Sequence, residues 1–427
     1  METQEVKEIN LLYSNWEGNI ILPNASEMGI EFTQFSDFAG YLSSHLNSSL
    51  DTTKNRKFKI NRINIDDYNP DTQYFYAISH PNMWLTEILD YCFPINGYLV
   101  ELSNKYNNIH FIFSYEHEGD SCDTWGKLVN YINYFGMDAS KFIVINNNSK
   151  IYEHKEQYSL DITVHKSNFI LHSFSKVLEY VESDFKEDKE GKFFMCRNRS
   201  PKDHRISLLI KLFNDGILNE INYSYIPEKE ARRANVFSVI KYLGVSFYKE
   251  HTTLINDIAN HTKVDDYELE KNWINPDNND FQSDQDPIFL VPELSTSFEN
   301  SYVNIVTESL YDASHEVVHH SEKSFRPFFY YQFPIFLASP HHVKFLRTQY
   351  GFDMFDDIIN HDYDYCLDDV ERMNMVIEQI KIINERKDEF ILFYKNNKDR
   401  FIKNREILMQ VAKESKQKDV DFLWDFL

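Results

Sequence analysis

The chain has 427 residues and a formal net charge of −23, with 42% hydrophobic and 15% aromatic residues. That length exceeds one ordinary core and predicts two domains of roughly 200 residues each. The apolar content excludes a disordered chain, the 11 Gly and 12 Pro exclude collagen-like or low-complexity sequence, and the acidic balance disfavours a phosphate backbone as the main partner.

The first ten residues, METQEVKEIN, lack a basic region followed by an apolar one, so they do not read as a signal peptide. No stretch approaches the roughly 18 apolar residues that a membrane-spanning helix needs. Cys92, Cys122, Cys196 and Cys366 are far apart and have no metal-ligand spacing. The expectation is a soluble, cytoplasmic protein with reduced thiols and no membrane partner.

Along residues 1–190, strand-like runs at Asn19–Leu22, Lys57–Asn64, Tyr74–Ile78, His110–Ser114 and Phe142–Asn146 alternate with helical patterns such as Phe35–Leu46 and Thr124–Phe135. Alternation of this kind predicts βαβ units around a mostly parallel sheet. Ser183–Gly191, SDFKEDKEG, is charged and aperiodic and reads as a linker. A second set follows: a strand at Lys192–Cys196, a helix at Asp203–Asn214, a strand at Ile221–Ile226, and helices around Glu228–Leu243 and Thr252–His261. Asn275–Asp286 is polar and loop-like. Val303–Thr307 and Phe333–Leu337 are further strands with a helix opening near Ser321 between them, and the chain is helical from Asp368 onward.

Two constellations in the second half carry chemistry. Cys196–Arg205, CRNRSPKDHR, sets Arg197, Arg199, Lys202 and Arg205 beside His204, where a strand runs into a helix. Strand carboxyl ends and helix N-termini favour an anion, and the guanidinium fork suits phosphate oxygens. Alternatively, this is a solvated basic turn. Further on, Thr307-Glu308 follows a strand, and Ser321-Glu322-Lys323 opens a helix with Pro327 expected in or near its first turn. A carboxylate and an amine there suit a nucleotide diphosphate, the one meeting ribose hydroxyls and the other the phosphates.

The order strand–RNR–helix, strand–TES, then SEKxFRP–helix–strand resembles a group of glycosyltransferases found in phages and giant viruses. The similarity is strongest in Lys192–Glu220 and Ser321–Asp364 and covers about residues 190–380. The SEK segment is also similar to the Thr-Glu-Lys motif of α1,3-fucosyltransferases, with Ser321 where they usually have Thr. The resemblance implies a GT-B-like α/β fold, two Rossmann-like domains facing a central cleft. Residues 1–190 would form the acceptor domain, 191–400 the nucleotide-sugar domain, and 401–427 a helix packing back toward the first. It further implies an inverting, metal-independent enzyme moving a hexosyl or pentosyl group. Glu322 would bind ribose, Lys323 the donor phosphates with Arg197 and Arg199 in support, and Glu308 would lie near the donor sugar. Lys202, Ser321 and Arg326 complete the implied donor set.

Asp284/Asp286 and Asp362/Asp364 match the metal-binding Asp-x-Asp pattern of the other major glycosyltransferase fold, but such pairs arise readily in an acidic chain. No metal or cofactor is expected. His315, His319 and His320, with His341 and His342, can flank a phosphate site without holding zinc. A general base belongs on a loop of the first domain, and Glu116 and Glu118 (with His117 between them) compete with His80 for the role. The expected partners are a nucleotide-diphosphate sugar and a hydroxyl acceptor on a glycan, a protein or a modified DNA base. An enzyme acting on hydroxymethylated DNA would need the basic group Lys54, Arg56, Lys57, Lys59 and Arg62; a binding protein that keeps the fold without catalysis is the other alternative.

Overall fold

The structure is a computed structural model that describes residues 5–13, 56–79, 95, 97–115, 122–158, 161–167, 171, 183–198, 202–224, 241–243, 298–312 and 317–426. These form two compact units. The first comprises residues 1–172, 315–319 and 413–427; the second comprises 173–314 and 320–412. Each is a parallel sheet with intervening helices, as expected of two Rossmann-like units.

In the first unit, strands β1 (Glu5–Tyr13), β2 (Arg56–Asn64), β3 (Tyr74–Ser79), β4 (Ile109–Tyr115), β5 (Phe142–Asn146) and β6 (Thr163–Lys166) lie in the order β2-β1-β3-β4-β5-β6, all parallel. Helices α1 (Gly97–Lys105), α2 (Cys122–Tyr134) and α3 (Ile151–Tyr158) make the crossovers from β3 to β6. Every residue of β5, FIVIN, is buried, as a strand covered on both faces must be. Order reverses between β1 and β3, so their carboxyl ends flank the crevice where such sheets bind ligands. Neither β1 nor β6 was anticipated: EVKEINLLY mixes charge with its apolar residues, and Thr163–Lys166 is too short for its period to show.

The second unit pairs β7 (Phe194–Arg197), β8 (Ile221–Ser224), β9 (Val303–Thr307) and β10 (Phe333–Leu337) in the order β10-β9-β7-β8, again parallel. Helix α4 (Asp203–Asn214) joins β7 to β8, and α5 (Glu322–Phe329) joins β9 to β10. The helices α6 (Asp369–Glu385), α7 (Lys387–Asn396) and α8 (Lys398–Phe426) follow. Here the reversal falls between β7 and β9. The stretch Ser183–Gly191, read as a linker, belongs to this unit instead. Phe185 stacks on Tyr394 at 4.8 Å, Ser183 O accepts from Tyr331 Oη at 3.0 Å, and Lys189 is buried with Nζ donating to Tyr330 O at 3.1 Å. One aromatic ring anchors a segment whose charge suggested solvent. No described helix is long and apolar enough to cross a membrane.

Candidate functional site

The reversal between β7 and β9 brings Arg197 and Asn198 beside Thr307 and Glu308. Thr307 Oγ1 donates to Asn198 Oδ1, tying the two strand ends together. The cations of the first constellation then divide. Lys202 Nζ donates to Ser309 O at 3.0 Å, His204 Nε2 to Glu308 O at 2.9 Å, and Arg205 Nη2 to Thr307 O at 3.0 Å. Each serves a carbonyl of the turn leaving β9. Buried Arg205 and His204 (the latter stacked on Tyr311 at 5.0 Å) brace that turn. Burial holds the His204 imidazole well below its ordinary pKa, with the Arg205 charge adding to the effect. Arg197 lies over the Phe298 ring at 5.7 Å. Arg199 is outside the described residues.

The second constellation is a helix start. Ser321 is the N-cap of α5, its Oγ accepting from Lys323 N at 3.2 Å. Pro327 lies deeper than anticipated, as the sixth helical residue, in a helix of eight residues. Lys323 Nζ meets Glu322 Oε1 at 2.5 Å, and Arg326 Nη2 approaches the same oxygen to 3.8 Å one turn later. Burial alone would raise the Glu322 pKa, but the Lys323 and Arg326 charges outweigh it and hold the carboxyl at about 2. Arg326 also lies over Phe298, at 5.4 Å, and Phe298 stacks on Tyr330 at 5.0 Å. Lys323, Glu322, Arg326 and Arg197 are thereby one connected group, with Phe298 shared by the two guanidiniums.

Glu308 is completely buried. Ser321 and Ser324 both hydrogen-bond it, so it holds the end of β9 to the start of α5. His342, after β10, meets Ser324 Oγ through Nε2 at 2.9 Å, and its own carbonyl accepts from His320 Nε2 at 3.1 Å. These imidazoles join backbone and hydroxyl groups. Asp364 accepts from Val343 N and Lys344 N at 2.8 and 2.9 Å, so this half of the Asp362/Asp364 pair closes the turn after β10. Burial pushes its carboxyl up to about 6 against those two bonds. No cluster able to hold a metal occurs among the described residues. Asp284 and Asp286, like His315, lie outside them.

The base candidates Glu116, Glu118 and His80, and His117 with them, also lie outside the described residues, immediately beyond β4 and β3. Within the first unit the structure shows a polar cluster that sequence reading missed. Asn146, Asn147, Asn148 and Ser149, at the carboxyl end of β5, are all buried. Asn148 Oδ1 accepts from Val318 N at 3.1 Å while Ser149 N donates to Val318 O at 2.9 Å. Lys166 Nζ reaches Ser149 Oγ at 3.0 Å, and Asp419 meets His165 Nε2 at 2.7 Å and Ser167 Oγ at 2.9 Å. Its one sequence signal is the run NNNS directly behind an apolar strand.

No family model and no curated protein matches the chain. Among solved structures it is similar to a DNA modifying enzyme, beta-glucosyltransferase, solved with and without its substrate uridine diphosphoglucose. The identity is 9% and the TM-score 0.31, over 97% of this chain and 99% of that one. A superposition this loose assigns no residue a role, and the site stands on its own geometry.

Proposed function

We propose that the protein is a glycosyltransferase of the GT-B type, transferring a sugar from a nucleotide diphosphate to a hydroxyl acceptor. The observation that carries this reading is the ionised, nearly buried Glu322 flanked by Lys323 and Arg326 at a helix start, beside the strand-order reversal of the second unit. A parallel sheet offers its ligand site at such a reversal, and the motif's resemblance to the fucosyltransferase Thr-Glu-Lys segment supports the same assignment. Glu322 accepts from the ribose hydroxyls, and Lys323 and Arg326, with Arg197 and Arg199 behind them, carry the diphosphate. Fixed positive charge then stabilises the leaving group in the role a metal has elsewhere. Reaction is by inversion, with the acceptor on the first unit. Its base comes from a loop leaving β3 or β4; Glu118 is preferred to Glu116 and His80 because Gly119 permits a tight turn behind it.

Of the basic group that the DNA-base alternative would need, Lys59 is paired with Glu8 at 2.6 Å and Lys54 lies outside the described residues. Incubation with a panel of nucleotide sugars tests the proposal: one member is expected to raise the melting temperature and to be slowly hydrolysed. If no nucleotide sugar does either, the reading fails. Turnover on hydroxymethylated DNA alone would restore the alternative.

A further inference from the structure

We infer that Glu308 is a positioning residue, which sets the start of α5 through Ser321 and Ser324 and leaves donor contact to Glu322 and Lys323. The inference rests on the donor reading of this site. Its Oε1 accepts from Ser321 N at 3.3 Å and from Ser324 Oγ, and its Oε2 accepts from Ser321 Oγ at 2.6 Å and Ser309 N at 3.3 Å. A carboxylate has about four lone-pair sites, and these donors occupy them, so none is left for a sugar hydroxyl. A buried carboxyl needs such a set of donors, and the start of a helix supplies part of it. Ser324 Oγ donates its hydrogen bond to Glu308, so the His342 Nε2 that meets the same hydroxyl carries its own hydrogen and donates to it. The result is a chain of buried bonds from the turn after β9, through α5, to the turn after β10.

Glutamine at this position discriminates well, because each carboxylate oxygen receives one backbone N–H. A hydroxyl can reverse to meet an amide NH2, but a backbone N–H cannot. Whichever way the amide is placed, one donor faces another, and the helix start must shift.

The test is calorimetric titration of uridine diphosphate and guanosine diphosphate onto the full chain, with melting temperature measured alongside. For the diphosphate that binds, Glu308→Gln is expected to weaken affinity by about tenfold, the effect of one lost charged hydrogen bond. Ser324→Ala keeps the Glu308 carboxyl and its other donors in place, and should weaken affinity by less. The double variant should bind no worse than Glu308→Gln alone, and Glu308→Gln added to Lys323→Ala should cost little more, because the residues act along one path. Losses that add, or a Ser324→Ala variant that binds as wild type does, would overturn the inference and leave the donor reading intact. So would a folded Glu308→Gln that melts earlier but binds normally. Wild type that takes neither diphosphate would overturn the donor reading and this inference together.

Discussion

Glu322 is 9% exposed, and the Lys323 and Arg326 charges outweigh the cost of its burial and hold its carboxyl low. Removing one of them changes both binding and titration. Lys323→Ala is expected to weaken nucleotide-sugar binding by about 1.5–3 kcal/mol, the scale of a charge-assisted hydrogen bond. With less positive charge nearby, the acid limb of binding should also move to higher pH; calorimetry across pH checks both, and unchanged affinity would remove Lys323 from the site. A second titration concerns Lys189, whose burial lowers its pKa from the ordinary 10.5 to about 7, the nearby Glu299 opposing the shift. Between those two values the unfolded chain holds a proton that the folded chain has released, so stability rises with pH across that window and the full cost of burying the charge is felt below it. Lys189→Met should flatten that rise and stabilise the fold at neutral pH, as denaturant titrations at several pH values would show. A variant with the wild-type slope would mean that the amine finds its charge compensated. What the sequence showed at this scale was residue type: Glu322 and Lys323 stand at the helix start that the sequence indicated, with Arg326 one turn further in. What it could not show was the direction of side chains. Lys202, His204 and Arg205 look like phosphate ligands in a string of cations, yet each meets a carbonyl of the turn after β9.

Helix α5 is held at its first residue by a hydroxyl with two duties. Ser321 Oγ accepts from Lys323 N and donates to Glu308 Oε2. Ser321→Ala removes both, and should cost about 1–2 kcal/mol of stability, the worth of a helix cap, with a matching loss of nucleotide affinity. Ser321→Thr keeps the oxygen and should preserve affinity; a Thr variant as impaired as Ala would show that the methyl-free side chain is needed for another reason. Elements of this unit were legible where apolar runs were flanked by polar turns: Val303–Thr307, Phe333–Leu337 and Asp203–Asn214 match their sequence bounds. Glu5–Tyr13 was not, since a parallel strand with Val6 in solvent and Ile9, Leu11 and Leu12 buried keeps no steady alternation. Ser183–Gly191 misled in the opposite sense, through Phe185, whose stacking outweighs the charge around it.

At the scale of the molecule, the two-unit α/β plan follows from length and alternation; the first unit is discontinuous, taking in 315–319 and 413–427 as well as 1–172. Activity is expected to survive EDTA, since Lys323, Arg326 and Arg197 supply the charge that a metal would otherwise bring to the diphosphate. Turnover lost to the chelator and restored by manganese would reverse that expectation and direct attention to Asp284 and Asp286. The discontinuity of the first unit also bears on synthesis. Val420 and Leu423 belong to its core, and Asp419 is bonded to His165 and Ser167. On the ribosome those residues emerge after all of the second unit has been made, so the half of the protein that begins first is completed last. During that interval the part of its core that Val420 and Leu423 cover stays open, so the nascent chain exposes apolar surface that the finished protein does not.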